Sequence, residues 1–272
     1  LLFAGLLLVR WLWFYPAELN TALETQKNEM FSLNSVLELK KETLATFVSD
    51  YANWDDTWHY VQEPYREYIA TNFTDTTFES LKLSGALLLN NQREPVFNLE
   101  YNSESSLVTS NSTRLLYWLQ QGGVEHLNDQ PTTLFQSIDE SPYLLAISPV
   151  MHSDNSGPRQ GWLIFFQLLD DDILSVWKRI TRIPLMRTDI PQNAVDLLTS
   201  PGDAQTFHDR CLMSPEQHPV YCFRIHHQQE LPQFLSSNVI TAFLLIALIP
   251  GIIFILLIHL LITPIRKATD LL

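Results

Sequence analysis

Bases are scarce in this chain: 17 Lys and Arg stand against 30 Asp and Glu, a formal net charge of −13. Nucleic-acid binding needs clustered bases and is excluded on that ground. Cysteine is scarcer still, with only Cys211 and Cys222. A metal reading would recruit His208, His218, His226 and His227, but no Cys-x-x-Cys or His-x-x-x-His spacing supports it. Neither Gly-x-Ser-x-Gly nor His-Glu-x-x-His occurs. Two common hydrolase signatures are therefore missing, no catalytic residue can be named, and no cofactor is expected.

Charge itself is missing from residues 239–262, 24 consecutive positions rich in Leu and Ile. At 1.5 Å per residue they suffice to cross a hydrocarbon layer of ~30 Å. Pro250-Gly251 is a defect that neighbouring helices tolerate in a bilayer. Residues 1–15 are also apolar, broken by Arg10 and closed by Trp11, Trp13 and Tyr15, aromatics that suit a membrane interface. No small-residue cleavage site follows, so this stretch reads as the remainder of a first span rather than a signal peptide. Arg266 and Lys267 directly follow the second span and mark the cytoplasmic face, which places residues 16–238 outside. Setting aside Arg10, Arg266, Lys267 and Asp270 leaves 14 bases against 29 acids there, about −15. Such a domain attracts cations. Outside the membrane an even cysteine pair is by default a disulfide. Closing the loop that holds Pro215 and Pro219, it contributes roughly 2–3 kcal/mol in the loop-entropy model.

Glycine and internal proline are absent from residues 16–48. Leu23, Gln26, Met30, Leu33, Leu37, Lys40, Leu44 and Phe47 recur there by threes and fours, a heptad seam with two polar positions. The spacing predicts a long helix whose membrane-near half pairs with a second copy in parallel, while its far half packs on the domain. Next comes the densest chemistry of the chain, Asp50-Tyr51-Ala52-Asn53-Trp54-Asp55-Asp56-Thr57-Trp58-His59-Tyr60. Read as continuous helix, it puts Tyr51, Trp54 and Trp58 on one face with Asp55 beside them and Asp56 turned away. Paired carboxylates among indoles need donors, cations or a ligand. Tyr51, Trp54, Asp55, Asp56 and Trp58 are accordingly the candidate ligand-binding or signal-coupling residues, with helix-to-sheet packing as the alternative.

Turn formers at residues 90–95 separate apolar residues 82–89 from the alternating 96–101, a hairpin. Residues 102–112 read as a Ser/Asn-rich loop, and residues 115–121 as a short helix stopped by Gly122-Gly123. Strands are expected over 143–150 and 161–169. Asp170-Asp171-Asp172 invites a calcium reading. Helix capping explains it better, since Ile173, Leu174, Val176 and Trp177 follow. Residues 194–198 and 220–225 are expected to extend the same sheet.

The run Tyr51-Ala52-Asn53-Trp54-Asp55-Asp56, preceded by Asp50, resembles the D-Y-A-x-W-D-D signature of CHASE4, an extracytoplasmic sensory domain of bacterial receptors. The resemblance covers roughly residues 45–182. It departs from the family at the hairpin turn, where Asn90 and Asn91 stand in place of an acid and a glycine. Thr263-Pro264-Ile265-Arg266 resembles the entry to a HAMP linker. Taken together, the resemblance implies an α+β fold: a PAS- or Cache-like antiparallel sheet with a long N-terminal helix, set between two transmembrane helices. The expected divisions are residues 1–15 and 239–262 as spans, 16–48 as the juxtamembrane helix, 49–238 as the periplasmic sensor and 263–272 as linker. It further implies a two-pass receptor of the bacterial inner membrane. Its output would be a cyclic-di-GMP cyclase or phosphodiesterase, with a histidine kinase or chemoreceptor as alternatives. The implied partner is a small molecule, amine or other cation by charge, or a periplasmic solute-binding protein. A catalytic or scaffolding ectodomain is the reading from a different class.

Overall fold

The computed structural model describes residues 2–103, 105–110, 112–154, 156–191, 194, 196–197 and 209–269. The chain divides into two compact units, Leu1–Lys27 with Gln228–Leu272, and Asn28–His227. Helix α1 (Leu2–Val9) passes through a π turn (Arg10–Phe14) into α2 (Tyr15–Ala52). Three short helices follow, α3 (Asp55–Gln62), α4 (Arg66–Asn72) and α5 (Asp75–Leu81). Strands β1 (Gly85–Asn90), β2 (Pro95–Asn102) and β3 (Leu107–Ser110) lead to α6 (Thr113–Gln120), then β4 (Thr132–Ile138), β5 (Ser141–Val150) and β6 (Gly161–Leu168). Beyond them lie α7 (Asp171–Thr181), β7 (Leu185–Thr188), β8 (Asp209–Met213), β9 (Pro219–Ile225) and α8 (Ser237–Thr269).

Six strands form one antiparallel sheet in the order β3-β2-β1-β6-β5-β4. Its central strands are apolar on both faces because both are covered. Ala86, Leu88, Leu163 and Phe165 meet the stripe of α2 and the aromatics of α3 to α5, while Leu87, Leu89, Ile164 and Phe166 share a second core with Trp118 of α6. The result is a mixed helix and antiparallel sheet fold with a long N-terminal helix. Gly161 begins β6 opposite Asn90, and a Cβ there would stand 1.8 Å from the Leu89 carbonyl, so the strands approach too closely for any side chain.

Most of the heptad seam is buried within the chain. Met30, Leu33, Leu37, Leu44 and Val48 are buried in the first core, and Phe47 packs against it partly buried. Nearer the N-terminus Ala22 and Gln26 are buried too, Gln26 donating to the Gln229 carbonyl at 2.9 Å. Phe31 and Leu39, outside the seam, are instead exposed.

Strand β3 replaces part of the loop expected at residues 102–112, and β4 lies where no element was expected. In β3 polar Ser and Thr are tolerated because the strand is an edge with a mostly exposed surface. Residues 220–225 do form a strand but not in the same sheet: β7-β9-β8 is a separate three-stranded layer. The expected strand at 194–198 lies largely outside the described residues; Asp196 makes an isolated parallel bridge to Cys211. Cys211 and Cys222 are register partners across β8 and β9 and are joined by a disulfide. Asp170 caps α7 by accepting from the Ile173 amide at 3.0 Å. In the other unit, Phe3 of α1 meets Phe243 of α8 edge-on at 5.9 Å. Among the described residues one helix, Ser237–Leu260, is long and apolar enough to cross a membrane.

Candidate functional site

Continuous helix through the signature is the expectation that fails. Helix α2 stops at Ala52, and Trp54 takes an extended conformation (φ −73°, ψ 136°) as the N-cap of α3. Asp55 and Asp56 thereby open a new helix, where negative charge meets unpaired N–H groups. The break separates the aromatics: Tyr51 and Trp54 stack on each other at 4.2 Å, while Trp58 leaves for a different partner. Tyr51 also meets Phe73 and Phe165 edge-on, which anchors the first pair to the core.

Thr57 mends the break from inside. Fully buried, its hydroxyl donates to the Tyr51 carbonyl at 2.6 Å, satisfying an acceptor that the terminated helix leaves open. With that hydrogen committed, the Tyr68 hydroxyl is the donor in its 2.5 Å contact with Thr57 Oγ1. Burial pushes the Tyr68 phenol well above its ordinary pKa, so it remains a donor.

Asp55 and Trp58 close on the β5–β6 loop. The Asp55 carboxylate accepts from the Ser153 amide at 3.0 Å and lies 2.9 Å from His152 Nδ1; Trp58 stacks on the His152 ring at 4.0 Å. Hydrogen bonds from Ser153, then from His152, lower the Asp55 pKa from 3.8 to about 2. Trp58 Nε1 reaches the Pro158 carbonyl at 3.4 Å, and Asn91 of the β1–β2 turn holds the Arg159 carbonyl at 2.7 Å. Arg159 in turn pairs with Asp129 and lies 4.0 Å over the Trp162 ring. The loop is thus gripped from two sides. Asp56 does not join this latch; it is exposed, and its charge is felt at the Tyr65 and Tyr68 phenols.

Four of the five candidate residues therefore fall into two groups, the Tyr51–Trp54 stack anchored on the core and Asp55 with Trp58 around His152, half open to solvent. Asp55 retains 54% of its side-chain exposure. His152, Ser153 and Thr57 went unnoticed as site residues. His152 lies 97 positions from Asp55 and carries no local pattern. A second polar cluster, also unnoticed, sits on the α6 side of the sheet. Arg114 donates to the Tyr143 hydroxyl at 2.7 Å and pairs with Glu100 at 3.4 Å. Gln136, the register partner of Tyr143, has a buried Oε1 without a partner among the described residues. Among the described residues no group of acids, histidines and cysteines is arranged to hold a metal ion.

Solved structures similar to this chain are sensory domains. The extracellular domain of the histidine kinase vpHK1S-Z8 aligns at 12% identity and a TM-score of 0.44, covering 64% of this chain and 66% of that one. A domain of a sensory box/GGDEF family protein from Vibrio parahaemolyticus aligns at 14% and 0.43, covering 71% and 76%. The ligand-binding domain of the Campylobacter jejuni chemoreceptor Tlp3, in complex with L-valine, aligns at 11% and 0.41, covering 64% and 68%. No curated protein matches the chain. The CHASE4 domain model matches residues 36–186, which takes in the C-terminal part of the long helix, the latch, the six-stranded sheet and α7. More than half of the chain lies inside that match, and the chain belongs to the CHASE4 family of sensory domains.

Proposed function

We propose that this chain is the periplasmic input of a two-pass receptor in the bacterial inner membrane, and that occupancy is felt at the latch between α3 and the β5–β6 loop. The observation that carries the second half is the Asp55–His152–Trp58 contact: a charged carboxylate and a half-buried indole, both reachable from solvent, tie α3, which follows directly on the long helix, to the β5–β6 loop. An amine competes with His152 for Asp55 and stacks against Trp58, exchanging one charge-assisted contact for another. A basic segment of a periplasmic solute-binding protein has the same chemistry. Either occupant favours one of two arrangements only if it binds them unequally.

From the latch, α2 runs about 55 Å to Tyr15 at 1.5 Å per residue. In this reading residues 1–15 and 239–262 span the membrane, 16–48 form the juxtamembrane helix, 49–238 the sensor, and 263–272 enter a HAMP-like linker. The output is a cyclic-di-GMP cyclase or phosphodiesterase, with a histidine kinase or chemoreceptor as alternatives. A parallel homodimer uses the face of α2 that carries Phe31 and Leu39, because the seam opposite is already filled. Titrating the chain in nanodiscs with spermidine, arginine and a neutral amino acid, followed by tryptophan fluorescence, tests the amine reading. Saturable quenching by the cations that Asp55→Asn abolishes is expected. Equal response of the Asp55→Asn variant removes the latch as the site.

A further inference from the structure

Arg10 is the one base in the first 26 residues, and it is 6% exposed while its neighbours Trp11, Leu12, Trp13 and Phe14 all face outward. Its guanidinium bonds Glu18 at 2.6 Å and reaches the carbonyls of Phe234 at 3.3 Å and Gln233 at 3.4 Å. Both carbonyls belong to the strap, residues 228–236, that leads into α8. Tyr15 meets Phe234 edge-on at 5.4 Å, and Gln26 and Thr25 bond Gln229. The same five residues, Arg10–Phe14, form a π turn, with the Tyr15 amide bonded to the Arg10 carbonyl five positions back.

A π turn is an α-helix with one residue too many, less favourable than the α form and kept only where other contacts hold it. Those contacts are Arg10's. We propose that Arg10 and the π turn form a register joint between α1 and α2. While the strap and Glu18 clasp the guanidinium, the surplus residue stays in the turn. When the strap withdraws, the turn reverts to α, and α1 rotates by about 100° and advances ~1.5 Å relative to α2, one helical position. A displacement of the strap, the only covalent exit from the sensor towards α8, thus becomes a rotation of α1 against α8. The joint rests on the membrane placement given above, but not on the nature of the ligand.

Cysteine cross-linking in native membranes tests it, with the two natural cysteines already paired to each other. Phe3→Cys with Phe243→Cys cross-links in the parent chain, since those rings are in contact. Arg10→Ala is expected to abolish that cross-link and create one between Ala4→Cys and Phe243→Cys, because reversion moves each α1 residue by one position. Deleting Leu12 in the Arg10→Ala background removes the surplus residue and restores the Phe3→Cys cross-link. Arg10→Lys, which keeps a charge for Glu18 but lacks the fork that reaches two carbonyls, gives both products. An unchanged pattern in Arg10→Ala, or failure of the deletion to restore it, overturns the joint. Labelling of Phe254→Cys by a membrane-impermeant maleimide would instead overturn the membrane placement, a separate outcome.

Discussion

Two carboxylate–imidazole pairs tie the helical layer of the sensor unit to chain emerging from its sheets, and they differ in all but chemistry. Glu29 and His227 meet at 2.7 Å with side chains 8% and 4% exposed; Asp55 and His152 meet at 2.9 Å with 54% and 29% exposed. Along α2, Glu29 and Ala52 are about 35 Å apart. A buried pair is screened little and is shut off from competing solutes, so it holds its place whenever the unit is folded. Solvent and solute compete for the exposed pair, which can exchange partners at small cost. The buried pair is an anchor for the start of the unit and the exposed pair is a latch. The proposed sensing chemistry belongs with the latch.

The largest test of that contrast is to remove half of the anchor. Glu29→Ala removes one member of a buried pair, and truncating one member of such a pair costs about 3–5 kcal/mol. Urea unfolding followed by far-UV circular dichroism should show a midpoint lowered accordingly; a loss near that of an exposed pair would erase the distinction. Thr57→Val comes next. It keeps the shape but leaves the Tyr68 hydroxyl and the Tyr51 carbonyl without their partner, a loss of about 1–3 kcal/mol in the same assay. Tyr68→Phe in that background should recover part of it, since the stranded hydroxyl is then gone. Trp58→Phe should cost no more than about 1 kcal/mol, because a ring still stacks on His152 and only the 3.4 Å indole bond is lost. Loss of the amine response without loss of stability would identify Trp58 as a recognition residue.

What the sequence disclosed and what it hid follow one rule: local signals were legible, and contacts between distant segments were not. The Asp170 cap, the β1–β2 hairpin and the stop at Gly122 each depend on a few neighbouring residues. The seam of α2 was visible as periodicity, but periodicity does not say what covers a stripe, and the sheet covers it. The break at Trp54 had a readable cue. Asp55-Asp56 ahead of an apolar helix is the pattern that identified Asp170-Asp171-Asp172 as a helix start, and it applies equally there. Strand β4 was hidden because Thr132-Thr133 and Gln136-Ser137 dilute its alternation, and His152 because only the fold brings it to Asp55.

The smallest expected effect lies on the acid limb of stability. The folded carboxyl of Asp55 sits near pKa 2, below its ordinary 3.8, so its favourable contacts are fully present above about pH 4 and disappear as pH falls towards 2. Asp55→Asn keeps an oxygen for the Ser153 amide but has no proton to gain. Its thermal midpoint should therefore run parallel to the parent above pH 4 and converge with it at lower pH. Since the carboxylate is exposed, added salt should narrow the gap further. Glu29→Ala offers the counterpart, because its deficit should persist in salt. Should both variants lose their deficits alike, the two pairs would be equally solvated, and exposure would not be what separates latch from anchor.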